Sequence, residues 1–185
     1  MRIAFASAAL LALAAAAPAR AADYVQAPGS TLTFATEYQG DVISGRFPAF
    51  TTRLRFDPAK LDEARLDVSI PLAATTTGEA ERDEAITGAD LFNVARFPQA
   101  RYVATRFRAL GGNRYAADGT LTLRGITRPV TLSFTWTPGP RPVLAGRATV
   151  RRLAFGVGAG SDWKDTEVIP DAVAVATRVV FTPTR

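Results

Sequence analysis

Apolar and polar residues alternate along most of this chain, in short runs that end at glycine or proline. The clearest run is GTLTLRGITRPV from Gly119 to Val130, in which Leu121 and Leu123 share one side and Arg124 lies on the other. A period of two is typical of a β-strand with one buried face, and Gly125 marks a turn. The run therefore predicts two antiparallel strands joined by a turn.

The same alternation recurs between closely spaced turn signals and predicts that most of the chain is β-strand. The predicted strands are residues 31–38, 42–47, 53–56, 66–70, 100–109, 114–124, 130–136, 143–153 and 173–181. No linker divides them, so we predict one all-β domain, an antiparallel barrel of about eight strands. Tyr102 and Phe107 fall on opposite faces of their strand unless a β-bulge lies between them.

One short helix is predicted between Glu79 and Ile86. Thr76 and Glu79 have the spacing of a capping box, and Gly88 is a C-terminal stop signal. The apolar, irregular stretch 91–98 follows, and its exposure to water would be costly. We expect this stretch to fold over an opening of the barrel, with simple packing between helix and sheet as the alternative.

The first 21 residues are predicted to be a secretory signal peptide. Arg2 precedes an apolar run over residues 3–17, and Ala19-Arg20-Ala21 matches an A-x-A cleavage site. The run is short and rich in alanine, which disfavours a membrane-spanning helix. We therefore expect residues 22–185 to form the mature domain, exported to the periplasm.

The composition removes several kinds of catalytic chemistry, because the chain contains neither cysteine nor histidine. Thiol and imidazole nucleophile–base pairs, the common transition-metal sites and histidine-ligated haem all need those side chains. Carboxylate pairs and a Ser–Lys arrangement remain available in principle. Lys60 and Lys164 are the only lysines and neither lies in a recognisable motif, so we expect no enzyme activity.

The charge of the chain is mildly basic, with 22 Lys and Arg residues against 17 Asp and Glu residues. The arginines are scattered over alternating strands, which indicates a solvated outer face. We therefore expect no nucleic-acid partner.

The predicted inward faces carry many large apolar and aromatic side chains. A closed barrel of about eight strands either fills its interior with such side chains or holds one small apolar ligand. An outer-membrane barrel with its apolar face outward is the other alternative. The chain ends in Thr-Pro-Thr-Arg beyond Phe181, and its strands lack clear aromatic girdles, which disfavours that alternative.

Several short motifs recur in a specific order along the mature chain. They are LTF at 32–34, GRF at 45–47, FDP at 56–58, the stretch 78–83, DLFNV at 90–94, FP at 97–98, the stretch 119–130 and FGVG at 155–158. Their order and spacing resemble the YceI-like family of polyisoprenoid-binding, lipocalin-like periplasmic proteins. The resemblance implies an extended antiparallel lipocalin-like barrel, with the short helix near its opening and an internal tunnel for a long-chain amphiphile.

The resemblance implies binding and carriage, without catalytic residues. We therefore expect a periplasmic carrier that sequesters a polyisoprenoid, quinone-like or fatty-acyl amphiphile in an apolar tunnel, with no metal or other cofactor. Phe92 and Phe97 are expected to guard the mouth. The residues expected to line the tunnel are Phe34, Tyr38, Phe107, Leu121, Leu123, Leu132, Phe134, Trp136 and Phe155.

The alternative function is a non-enzymatic protein-interaction module in envelope stress or electron-transport upkeep. Membrane contact is expected to be transient at most, and a homodimer remains open. The family often has histidine where this chain has Arg124. A guanidinium there could pair with a carboxylate or phosphate head group, although a surface arginine in a tight turn is the simpler interpretation.

Overall fold

The computed structural model describes residues 22–160 and 163–184, so the expected signal peptide lies outside the described residues. Ten strands are present in these ranges. They are β1 (Ala22–Gln26), β2 (Thr31–Tyr38), β3 (Asp41–Arg46), β4 (Thr51–Phe56), β5 (Arg65–Pro71), β6 (Gln99–Gly111), β7 (Arg114–Leu123), β8 (Ile126–Thr137), β9 (Val143–Arg151) and β10 (Ala172–Pro183).

The strands close into an antiparallel barrel. β1 pairs with β4 on one side and with the end of β10 on the other, which joins the two edges of the sheet. β1 and β2 pair with β10 one after the other, so together they occupy one strand position in the barrel. β4 and β3 pair with β1 and β2 in turn and together occupy the next position. The ten strands therefore fill eight positions around the barrel, which confirms the predicted fold class.

The alternation seen in the sequence decides which face of each strand is inside. On β4, Leu54 and Phe56 are buried, whereas Arg53 and Arg55 are exposed. The outer arginines form cross-strand ion pairs with carboxylates at distances of 2.6 to 2.9 Å. These pairs are Arg55–Asp23, Arg101–Asp67 and Arg108–Asp118. Because these pairs are exposed to water, they contribute little to stability, and inward apolar burial dominates it.

A β-bulge resolves the ambiguity in β6. The register between β6 and β7 shifts between Ala104 and Arg106, so one residue is left over. Tyr102 and Phe107, which strict alternation would separate, thus both pack against the core.

The helix α1 spans Ala80–Thr87 and ends at Gly88, whose N–H donates to the carbonyl of Glu84. The predicted capping box is wrong, because Glu79 makes no side-chain capping bond. Instead the Asp83 carboxylate accepts hydrogen bonds from the Thr76 and Thr77 hydroxyls and from the Thr77 N–H, at 2.6 to 2.7 Å. These bonds hold the pKa of Asp83 below its usual range.

No helix within the described ranges is long and apolar enough to cross a membrane.

The end of β9 departs from the sequence prediction. The strand stops at Arg151, and a 3-10 turn over Arg152–Phe155 replaces its predicted end. The Arg152 side chain is only 4% exposed, and burial lowers its pKa. Its guanidinium donates at 2.7 to 3.3 Å to the carbonyl oxygens of Val157, Gly158, Ile169 and Pro170. Arg152 therefore clamps two parts of the loop between β9 and β10 together.

We predict that Gly119→Ala destabilises the barrel. The Tyr102 ring crosses Gly119 so that its hydroxyl donates to the Ala117 and Val130 carbonyls. A Cβ at Gly119 would lie 2.8 Å from Tyr102 Cζ and would also collide with the Val103 carbonyl. We expect a loss of about 1–3 kcal/mol in the free energy of unfolding, measured by chemical denaturation.

Gly160→Ala is the control for that variant, because a Cβ at Gly160 meets no atom within 4 Å. It should change the free energy of unfolding by less than about 0.5 kcal/mol. Equal stability of the two variants would contradict the close approach at Gly119.

We also predict that Arg152→Met destabilises the protein by about 2–4 kcal/mol, because buried carbonyls lose charged hydrogen-bond donors. Arg152→Lys should restore little, since an ammonium cannot span the two loop parts as a planar guanidinium does. Thermal denaturation measures the effect.

Arg151→Met is the matched control. The Arg151 side chain is 69% exposed, so its replacement should lower the free energy of unfolding by no more than about 1 kcal/mol. Comparable losses in Arg151→Met and Arg152→Met would contradict the clamp.

Candidate functional site

The barrel encloses a cavity of about 570 Å³, within the range of small-molecule binding sites. Its walls are the inward faces of the strands, and most of its lining is apolar. The cavity occupies the half of the barrel in which β5 ends and β6 begins, here called the mouth half. At the mouth, α1 contributes Arg82, Ala85 and Ile86, and residues 88–98, here called the mouth segment, contribute Leu91 and Phe92.

The cavity lining includes six of the residues that the sequence nominated. Phe34 and Tyr38 lie on β2, Leu121 and Leu123 on β7, and Leu132 on β8, while Phe92 lies in the segment after α1. Their contact with a ligand stays a prediction. Phe92, Phe47 and Phe34 form a chain of rings, with centroid separations of 6.2 and 5.2 Å. Phe47 also lines the cavity, although the sequence analysis did not select it.

Three other nominated residues lie at the closed end of the barrel and do not line this cavity. Phe107, Phe134 and Trp136 join a group of rings whose neighbouring centroids are 5.1 to 6.2 Å apart. We call this group the aromatic floor. It comprises Tyr24, Phe56, Phe107, Tyr115, Phe134, Trp136 and Phe181. Apolar alternation placed these rings inside the barrel but carried no information on depth.

Phe97 and Phe155 also lie outside the cavity lining. Phe155 is 1% exposed and belongs to the 3-10 turn that follows β9. Phe97 packs against the turn between β7 and β8, where a Cβ at Gly125 would lie 2.9 Å from its ring. The guanidinium carbon of Arg96 lies 5.2 Å from the centroid of the same ring. Phe97 therefore holds the mouth segment onto the barrel.

Backbone hydrogen bonds join the parts of the mouth. The N–H of Gly158 donates to the Asp90 carbonyl at 2.8 Å, and the N–H of Gln39 donates to the Val168 carbonyl at 3.0 Å. These bonds connect the loop after β9 with the segment after α1 and with the β2–β3 hairpin. Three parts of the mouth are thus linked through the loop after β9.

Arg124 adds a further link at the mouth. Its backbone has φ of +50°, in the turn between β7 and β8. Its guanidinium donates to the carbonyl oxygens of Ala89, at 2.8 Å, and Leu91. The side chain therefore ties the turn to the mouth segment, and a contact with a ligand head group stays a prediction.

The cavity lining also includes charged residues. One of them, Arg152, is buried and lines the cavity, although the inward faces predicted from the sequence are apolar and aromatic. Alternation itself pointed to Arg152, which continues the inward series of Ala148 and Val150, but the arginines as a group indicated a solvated outer face. The other charged lining residues are Glu37, Glu79, Glu81 and Arg82. Within the part of the chain that the structure describes, no group of three or more Asp or Glu residues could hold a metal ion.

Curated relatives resemble this chain over most of its length. A "UPF0312 protein" of Pseudomonas syringae pv. tomato is 31% identical over 157 residues, which cover 79% of this chain and 82% of the relative. A second, from Pseudomonas fluorescens, is 32% identical over 161 residues, covering 78% and 81%.

Solved structures share the fold. BcnA of Burkholderia cenocepacia superposes with a TM-score of 0.78 at 30% identity, covering 82% of this chain and 95% of BcnA. A polyisoprenoid-binding domain from Saccharophagus degradans superposes with a TM-score of 0.67 at 17% identity, covering 88% and 99%.

The family model for the YceI-like domain matches residues 24–181, from β1 to the end of the barrel. The match therefore includes the cavity, the mouth and the aromatic floor together. This chain belongs to the YceI-like family.

Proposed function

We propose that this protein is a periplasmic carrier that sequesters a polyisoprenoid or another long-chain amphiphile. The observation that carries the proposal is the enclosed apolar cavity of about 570 Å³. The Saccharophagus degradans domain, which is described as polyisoprenoid-binding, supports it through the shared barrel fold.

The distribution of polar groups suits an amphiphile that enters tail first. Each buried methylene contributes about 0.8 kcal/mol, so an apolar wall binds a hydrocarbon tail without specific polar contacts. Glu37, Glu79 and Arg82 lie where the cavity meets the mouth loops, so a polar head there keeps access to water and to charged partners.

Export by the signal peptide places the carrier in the periplasm, between two membranes that exchange apolar molecules. Contact with either membrane is transient, and no reaction is catalysed. A homodimer remains compatible with this role.

The second candidate function is a protein-interaction module. One observation favours it: Val42 is 74% exposed and Tyr38 is 40% exposed, and both flank the tip of the β2–β3 hairpin. Tyr38 also lines the cavity. A partner bound at this tip would therefore lie beside the mouth.

Native mass spectrometry of the protein as purified from periplasm, followed by lipid extraction, tests the carrier proposal. We expect a copurifying amphiphile whose mass matches the shift of the native protein. Recovery of no amphiphile, together with a crystal structure in which side chains fill the interior, would overturn the proposal.

We predict that Leu132→Glu abolishes ligand loading. The Leu132 side chain is 8% exposed and lines the cavity, so a carboxylate there would lie unpaired in an apolar environment against the tail. Ser133→Glu is the matched control, because the neighbouring side chain faces solvent on the same strand. Loading is measured by native mass spectrometry beside circular dichroism, which checks folding. Equal loading of the two variants would argue against a ligand in this cavity.

We predict that Arg124→Ala speeds ligand release. Loss of the hydrogen bonds to Ala89 and Leu91 frees part of the mouth segment, and about 1 kcal/mol corresponds to roughly fivefold faster dissociation. Stopped-flow displacement of a fluorescent fatty acid and of a fluorescent neutral lipid measures the rates. Faster release of both probes is the expected result. Weakened binding of the anionic probe alone, restored by Arg124→Lys, would instead assign Arg124 to a head-group contact.

A further inference from the structure

The cavity ends above an aromatic residue on β8 and again on β10, the two strands on either side of β9. On β8, Leu132 lines the cavity, whereas Phe134, the next inward residue, does not. On β10, Val179 lines the cavity and Phe181 does not. The boundary between apolar lining and aromatic floor is therefore a layer across the barrel.

The aromatic floor is closely packed. Phe56 is 1% exposed, and the centroids of the Tyr115, Phe134 and Trp136 rings lie 5.1 to 5.7 Å from its own. Phe181 is fully buried on the far side of Trp136, at 6.1 Å. Rings at these separations leave no room for a hydrocarbon chain between them. A tail that enters from the mouth must end at this layer.

We propose that the aromatic floor sets the longest hydrocarbon tail that the cavity accepts, with Phe134 as its principal specificity residue. The inference rests on the proposed carrier function and adds a limit on tail length. Residues of β10 line the cavity from Val173 to Val179, seven residues that span about 20 Å of strand. Because barrel strands tilt by about 35–45°, the depth available is about 15 Å.

A limit on tail length would be visible in how the affinity changes with the length of the hydrocarbon tail. Each methylene that enters the cavity should raise affinity about fourfold, because it leaves water. Once the tail reaches the floor, further methylenes stay at the mouth and add little. Affinity plotted against tail length should therefore rise and then become flat.

The test uses prenyl alcohols with two, three, four, six and nine isoprene units, titrated into delipidated full-length mature protein. Displacement of a fluorescent fatty acid reports each dissociation constant. Phe134→Ala should move the flat region to longer tails, with at least a fourfold gain for the first alcohol beyond the wild-type limit. Leu132→Phe adds a ring above the floor and should move it to shorter tails.

Phe50→Ala is the control. Phe50 is a buried core residue that neither lines the cavity nor belongs to the aromatic floor, so its removal should leave the limit unchanged. Should Phe134→Ala fail to fold, Phe134→Leu and Leu132→Phe give the same readout from smaller changes.

The two proposals fail in different ways. Absence of binding by the wild-type protein to every alcohol and to the fatty acid would overturn the carrier function. Binding with a limit that neither Phe134 variants nor Leu132→Phe can move would overturn the aromatic floor as the determinant while leaving the carrier intact. Affinity that keeps rising up to nine isoprene units would also overturn the aromatic floor as the determinant, because the tail would then pass the floor.

Discussion

Closure of the sheet between β1 and β10 is the constraint on which the rest of the structure depends. Three residue pairs from Tyr24–Pro183 to Gln26–Phe181 join the edges, and the Ala27 N–H continues the seam to the Val180 carbonyl. A closed sheet satisfies its backbone groups without exposing these edges, and it isolates the interior from water. The cavity can therefore stay apolar without being filled.

The closed barrel contains two kinds of interior. At one end seven aromatic rings pack on one another, and towards the mouth mainly aliphatic side chains line the cavity, with the rings of Phe34, Phe47 and Phe92 among them. The difference follows from side-chain volume, because rings on adjacent inward positions meet across the barrel while leucine and valine do not. Stability and ligand space are thus placed at opposite ends of one continuous core.

Arginine holds the mouth in place. Arg152 gathers carbonyl groups from two parts of one loop, and Arg124 binds carbonyls of the segment after α1. A guanidinium suits this role because its planar donors satisfy several carbonyl oxygens at once. The loops around the opening carry few buried apolar residues, so these bonds replace the packing that strands obtain from the core.

Period-two alternation was enough to predict nine of the ten strands and most inward residues, because it reports local burial directly, but β1 was not among the predicted strands. The bulge in β6 was detectable as a conflict between Tyr102 and Phe107. Only the tertiary structure decided depth: Leu132 lines the cavity and Phe134 the floor, although both have the same local pattern. It also decided the partners of Asp83, Arg124 and Arg152, because carbonyls distant along the chain meet them only after the barrel closes.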